Sequence, residues 1–373
     1  MMFEHFGGGS GGSVPKFFRL LSILLVLSSV AAHAQNSQPP QLQTRPAPTP
    51  SPEKTITVTV QVNDKSGAPV RGLQQQDFTL LDDKQPLAIT SFQAVDHSAP
   101  APTDPPEEIV LVVDAVNAGF QAVTYERNEM RKFLLQNGGK LAEPVSLVIF
   151  TDTDTKVQND SSRDGNTLAA LYDEYQTGLR VVNRSQGIYG AAERFDLSLR
   201  LLHSLAVYEG KKPGRKLMIW ISPGWPLLSG PRIELSSKEE QKLFTSIVAT
   251  SAELRQANVT VYSIDPLGLA DFGVRTSYYE EFLKGVPFAK RAVPGDLGLQ
   301  VLAVQTGGRA LNTTNDIMTA IASCAADAEA FYIISFQQPK PDHPDEYHSI
   351  EVKVDKPGAT ARTRTGYYAE PLN

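Results

Sequence analysis

Ile109-Val110-Leu111-Val112-Val113-Asp114, followed by Ala115-Val116-Asn117-Ala118-Gly119-Phe120, is the stretch that decides the fold. Five aliphatic residues in a row, with no alternation, predict a strand buried on both faces. A carboxylate closes the run, and a loop and a helix pattern follow it. That order places a ligand site beyond the carboxyl end of a strand in an open α/β sheet. Outward from this stretch, Val145–Phe150, Leu217–Ile221 and Val259–Ile264 repeat the buried-strand pattern. Amphipathic helices are predicted between them. Phe195, Leu199, Leu202 and Ala206 fall at i, i+4, i+7 and i+11, and Ile317, Ile321, Cys324 and Ala328 repeat that spacing. Leu243, Phe244, Ile247, Val248, Ser251 and Leu254 form a third stripe. The fold class expected is α/β, a mostly parallel sheet covered on both faces.

The flanks read differently. Lys16 and Arg19 precede an apolar run from Leu20 to Ala32, and Ala32-His33-Ala34 has the form of a cleavage site, so residues 1–34 are expected to be a signal peptide cleaved after Ala34. An uncleaved anchor is the alternative. Residues 35–53, rich in Pro and Gln, are expected to be a disordered linker. Thr55–Val62 alternates with period two, and Phe78–Asp82 and Ile89–Phe92 continue a β pattern, so 54–98 is expected to be the first part of a β module. The α/β domain is expected over 106–330. Residues 331–373 return to β, with Phe331–Phe336, Ser349–Val354 and Ala361–Tyr368 as strands that pack with the module. The only cysteine, Cys324, excludes an intramolecular disulfide. The net charge of -6 gives no electrostatic case for nucleic acid.

The Asp114 stretch resembles the opening of a von Willebrand factor A domain, whose metal-dependent adhesion site begins Asp-x-Ser-x-Ser. Gly214–Pro226, Ala257–Asp265, Val70-Arg71-Gly72-Leu73 with Asp77-Phe78, and Arg364-Thr365-Gly366-Tyr367-Tyr368 are similar to the exported bacterial proteins called VWFA-related, many of them acidobacterial. The resemblance implies a von Willebrand A-type, Rossmann-like doubly wound sheet with a small discontinuous β module. It ties the chain to a fold more than to a biochemistry. It also implies where metal ligands belong. The two hydroxyl positions after Asp114 are Val116 and Ala118, and the Thr-Asp-Gly of the third loop is Ser222-Pro223-Gly224, with Pro223 at the aspartate. The second loop, Arg184–Gly190, has no threonine, leaving Ser185 as the nearest hydroxyl. A hard cation needs several fixed oxygens, so the site is expected to be degenerate and no metal or cofactor is expected.

Other candidates carry less. Asp152 and Asp154 lack the remaining ligands of a calcium loop. Lys211–Lys216 reads as a solvated turn, with contact to an anionic partner as the alternative, and His343 and His348 read as structural or solvated residues of the tail loop. No phosphate loop, nucleophile elbow or metalloprotease spacing is present. Asn117, Ser222, Trp225, Leu227 and Leu228 are the candidates for partner contact, with core packing as the plainer role for Trp225. The expected function is a non-catalytic, exported protein-interaction or adhesion module, periplasmic or extracellular in a bacterium. Its partner would be a protein or cell-envelope polymer, with no nucleic acid and no stable membrane span after signal cleavage. The alternatives are a metal-dependent ligand-binding von Willebrand A domain and an unrecognised hydrolase.

Overall fold

A computed structural model describes residues 3–5, 54–98, 106–118, 120–151, 154–176, 187–226, 235–266, 268 and 278–370. The signal and linker, apart from residues 3–5, lie outside the described residues, as do Asp152, the loop around Ser185, and Leu227 with Leu228.

In chain order the strands are β1 (Phe3–His5), β2 (Thr55–Asn63), β3 (Phe78–Asp82), β4 (Gln85–Leu87), β5 (Ser91–Asp96), β6 (Glu107–Asp114), β7 (Lys140–Phe150), β8 (Thr155–Gln158) and β9 (Ser162–Asp164). They continue with β10 (Arg215–Ile221), β11 (Val259–Ile264), β12 (Ala310–Leu311), β13 (Ala330–Gln337), β14 (Tyr347–Val354), β15 (Thr360–Arg362) and β16 (Gly366–Tyr368). The helices are α1 (Phe120–Leu135), α2 (Gly165–Gln176), α3 (Gly187–Glu209), α4 (Ser237–Gln256), α5 (Leu299–Gln305) and α6 (Ile317–Ala325).

The fold is mixed α/β around an eight-stranded sheet ordered β1-β8-β7-β6-β10-β11-β12, with β9 beside β7. The strands β7, β6, β10, β11 and β12 run parallel, while β8 and β9 are antiparallel to β7. The unbroken aliphatic runs follow from cover on both faces. Ile109, Leu111 and Val113 point into a core with Met130, Phe133 and Leu134 of α1, Leu168 and Tyr172 of α2, and Ile317 and Ile321 of α6. Val110 and Val112 point the other way, onto Leu202 and Leu205 of α3, Phe244 and Ile247 of α4, and Leu299 and Leu302 of α5. Cys324 belongs to the first of these cores, and burial pushes its thiol up to about 12.

The remaining strands form two four-stranded sheets, β15-β2-β13-β5 and β16-β14-β3-β4. Strand β13 lies between β2 and β5, and β14 lies between β3 and β16, all antiparallel. Ile56, Val58 and Val60 share one apolar cluster with Leu80, Ile334, Val352 and Tyr367. Asp83 and Lys84 both take positive φ, giving β3 and β4 the two-residue turn that matches strand twist.

Three segments differ from the sequence expectation. The strand expected at Ile89–Phe92 forms later, as β5, because its pairing partner β13 fixes the register from Ser91. The tail stretch Ala361–Tyr368 is two short strands, β15 and β16, each paired in a different sheet. The basic run Lys211–Lys216 is solvated only in its first part. Arg215 and Lys216 are buried, because Arg215 Nη1 donates to Glu107 Oε1 (3.1 Å) and Asp327 O (3.0 Å), and Lys216 Nζ donates to the carbonyls of Lys212 and Gly214. Gly214 makes this entry possible: its φ is +82°, and a Cβ there would meet Pro106 O at 1.9 Å.

Candidate functional site at the carboxyl edge of the sheet

Asp114 ends β6 at the edge where a ligand site is expected, and its side chain is fully buried. The carboxylate is saturated by its own neighbourhood. Oδ1 accepts from the backbone N–H of Val116 and of Asn117, both at 2.9 Å. Oδ2 accepts from Asn117 Nδ2 at 2.8 Å and Trp220 Nε1 at 3.0 Å. Two of these bonds are local, an Asx-type turn that shapes the loop. The other two come from side chains, one of them across the sheet from β10.

Val116 and Ala118 are buried, and Val116 is part of the core on the α3 side. Asn117 is half-buried, and its Nδ2 also donates to Ser198 Oγ of α3 at 2.9 Å, while its Oδ1 is sealed without a partner. Ser222 is buried, and its Oγ accepts from Gly224 N at 3.2 Å. Pro223 is half-buried beside it. Gly224 has φ +98° against the Gln300 side chain, so the loop turns tightly back over the sheet.

Trp225 is only 3% exposed. Its ring meets Trp220 edge-on at 5.2 Å and Phe195 at 6.4 Å. The structure therefore gives it the plainer of its two expected roles, packing, and not that of an exposed contact residue: the edges of Trp220 and Phe195 fill the space under the loop and draw the indole inward. Substituting Trp225 tests folding before it tests binding. Tyr189, in the first turn of α3, is 86% exposed.

Sequence reading missed Glu126. It lies on α1 one turn before Met130, on the helix face that carries Met130, Phe133 and Leu134, where a glutamate breaks the apolar stripe. That break was the available signal. The side chain is fully buried and neither oxygen has a hydrogen-bond partner. Burial, and then the charge of Asp114, hold its carboxyl well above the usual range, so the folded protein holds this proton more tightly than the unfolded chain does. The unfolded chain releases it above about pH 4.5, so this group lowers stability progressively as pH rises from there towards the folded pKa. Glu126→Met removes the penalty. Urea unfolding at pH 7 is expected to show a gain of about 2 kcal/mol, shrinking towards pH 4. A gain independent of pH, or a loss, would refute this account.

One group of possible metal ligands occurs among the described residues, Asp82, Asp83 and His348, at the β3–β14 junction and away from the Asp114 edge. His348 lies on β14, buried, and not in the tail loop. Its Nδ1 is 2.9 Å from Asp82 Oδ1, and this bond raises the imidazole pKa. Asp82 Oδ2 accepts from Tyr367 OH at 3.0 Å, and Asp83 Oδ1 accepts from Ser349 N and Oγ. His348 Nδ1, both Asp82 oxygens and Asp83 Oδ1 are thus spent holding β14 to β3 and β16, while His348 Nε2 is buried without a partner.

No protein-family profile and no curated protein matches this chain. Among solved structures, it is similar to an aerotolerance-related membrane protein from Bacteroides fragilis, with 14% identity, a TM-score of 0.30, and 60% of this chain and 98% of that one covered. It is similar to manganese-loaded TRAP protein from Plasmodium vivax, with 10% identity, a TM-score of 0.33, and 75% and 98% covered. It is also similar to the pilus adhesin SpaC from Lactobacillus rhamnosus GG, with 11% identity, a TM-score of 0.34, and 83% of this chain and 48% of that one covered. Among the described residues no helix is long and apolar enough to cross a membrane.

Proposed function

We propose that this chain is an exported, non-catalytic interaction module of von Willebrand A type whose adhesion site has become degenerate and works without a metal. The carrying observation is the saturation of Asp114: both of its oxygens are committed to four internal donors. A carboxylate spent on fixing its own loop has little left for a hard cation, which needs several fixed oxygens. The burial of Val116 and Ala118 supports the same reading, since side chains turned into the core offer nothing at the edge. What this edge presents to a protein or envelope polymer is loop backbone with Asn117 and Ser222 beneath it, together with the exposed Tyr189 of α3. Leu227 and Leu228 remain contact candidates outside the described residues.

The test is direct. Isothermal titration of the full chain with magnesium and with manganese is expected to show no saturable uptake below about 1 mM. A partner captured from envelope extract is expected to bind equally with EDTA and with added magnesium, and Tyr189→Ser to weaken it. Magnesium-dependent binding that disappears in Asp114→Asn would sink the proposal.

A further inference from the structure

Three carboxylates close on one imidazole where β14 meets β3. His348 Nδ1 lies 2.9 Å from Asp82 Oδ1 on β3 and 3.7 Å from Asp83 Oδ2 in the turn after it. His348 Nε2 lies 3.9 Å from Oε2 of Glu346, the residue before β14. Among the described residues no lysine or arginine pairs with any of the three, so His348 is their shared counter-ion. A fourth neighbour, Tyr367 of β16, stacks on the imidazole with ring centroids 5.1 Å apart and donates its hydroxyl to Asp82 Oδ2. Burial pushes that hydroxyl up, so Tyr367 keeps its proton while a histidine titrates.

The two ring nitrogens are not equivalent. A neutral imidazole has one N–H, and Asp82 takes it at Nδ1. Nε2 is then a bare lone pair, buried without a partner and facing a carboxylate. A proton on Nε2 turns that repulsion into a charge-assisted bond once the gap closes by about 1 Å. Glu346 carries the change outward. Its Oε2 also accepts from Asp342 N at 2.6 Å, and its backbone O accepts from Ala369 N at 2.8 Å. The loop 339–346 between β13 and β14 is thus held at the Glu346 side chain.

We infer that His348 is a proton-operated latch on this loop: protonated, it grips Asp82 through Nδ1 and Glu346 through Nε2; neutral, it keeps Asp82 and lets Glu346 and the loop go. The latch uses no residue of the Asp114 edge and is independent of how that edge works. The bond to Asp82, with the charges of Asp82, Asp83 and Glu346, raises the imidazole pKa above its ordinary 6.5, against the pull of burial. The latch is therefore closed below pH 6.5 and opens as pH rises through the folded value.

Ring-labelled histidine NMR of the full chain, with hydrogen exchange of the Asp342 amide, tests this between about pH 5.5 and 9. His348, assigned by the signal lost in His348→Gln, is expected to titrate above 6.5. Relative to its intrinsic rate, the Asp342 amide is expected to exchange about tenfold faster at the alkaline end than at the acid end. His348→Gln is expected to show the faster value throughout. Glu346→Gln leaves the Nδ1–Asp82 bond in place and is expected to weaken proton binding by His348 about threefold; it serves alone if His348→Gln does not fold. His343→Gln, on the same loop, is the control and is expected to keep the wild-type course. A His348 that titrates at or below 6.5, or that titrates unchanged in Glu346→Gln, would overturn the inference. So would Asp342 protection with the same pH course in wild type and His348→Gln, or a course abolished in His343→Gln.

Discussion

Removing residues 346–373 is expected to unfold the segment 54–96 along with the strands that are deleted. The deletion takes away β14, β15 and β16, leaving β3 and β4 as a bare hairpin and the outer edge of β2 unpaired. A lone hairpin is not stable in water. The inner face of the other sheet also loses its cover, since Ile350, Val352 and Tyr367 belong to the cluster that buries Ile56, Val58, Val60 and Phe336. Each large apolar side chain returned to water costs about 1.5–3 kcal/mol. Several together are comparable to the roughly 5–15 kcal/mol that keeps a whole protein folded. Hydrogen exchange of the truncated chain is the measurement, with β2 and β3 amides expected to lose protection. Unchanged protection over 54–96 would mean that those strands have a core of their own.

The second large effect is expected from Asp114→Ala, at about 4 kcal/mol of stability. Truncation strands four donors, two of them in the buried loop and one on the fully buried Trp220. Each buried polar group left unpaired costs about 1–3 kcal/mol, and relaxation of the loop recovers part of the sum. Urea unfolding with an unchanged slope measures it. Asp114→Asn is informative beside it. One amide nitrogen would face either Trp220 Nε1 and Asn117 Nδ2 or the two backbone N–H groups, so the amide cannot satisfy all four donors. If both variants kept wild-type stability while losing cation binding, Asp114 would be a metal ligand and not the hub of the loop.

Periodicity made much of this molecule legible. Ile109–Val113 has no alternation because helices cover both faces of β6, and that property is written locally. The spacing of Phe195, Leu202 and Ala206 likewise marks the inner face of α3. What was not legible depends on partners far along the chain. Asp114 meets Trp220 only because β6 and β10 pair with Val112 opposite Trp220. Trp225 is surrounded by loop residues in the sequence, and nothing nearby announces that Trp220 and Phe195 will offer it their edges. Arg215 and Lys216 read as solvent-facing because the carboxylate of Glu107 and the carbonyl of Asp327 arrive from other parts of the chain. Glu126 shows the opposite failure. Its place on the apolar stripe was visible, but residue type suggested an exposed position.

The salt links at the other end of the sheet have a mechanical consequence. Lys54, where the described chain begins after the linker region, pairs with Glu370, which also pairs with Arg255 at the end of α4. Gln338 stitches both, its N–H donating to Lys54 O at 2.7 Å and its Nε2 to Glu370 O at 3.1 Å. The described stretch from residue 54 to residue 370 thus begins and ends at one clasp. The β6 strand, eight residues long, spans about 25 Å from Glu107 near the base to Asp114 at the tip. Tension applied between residues 54 and 370 would load this clasp and leave the tip slack, as a lever gripped at its handle keeps its far end free.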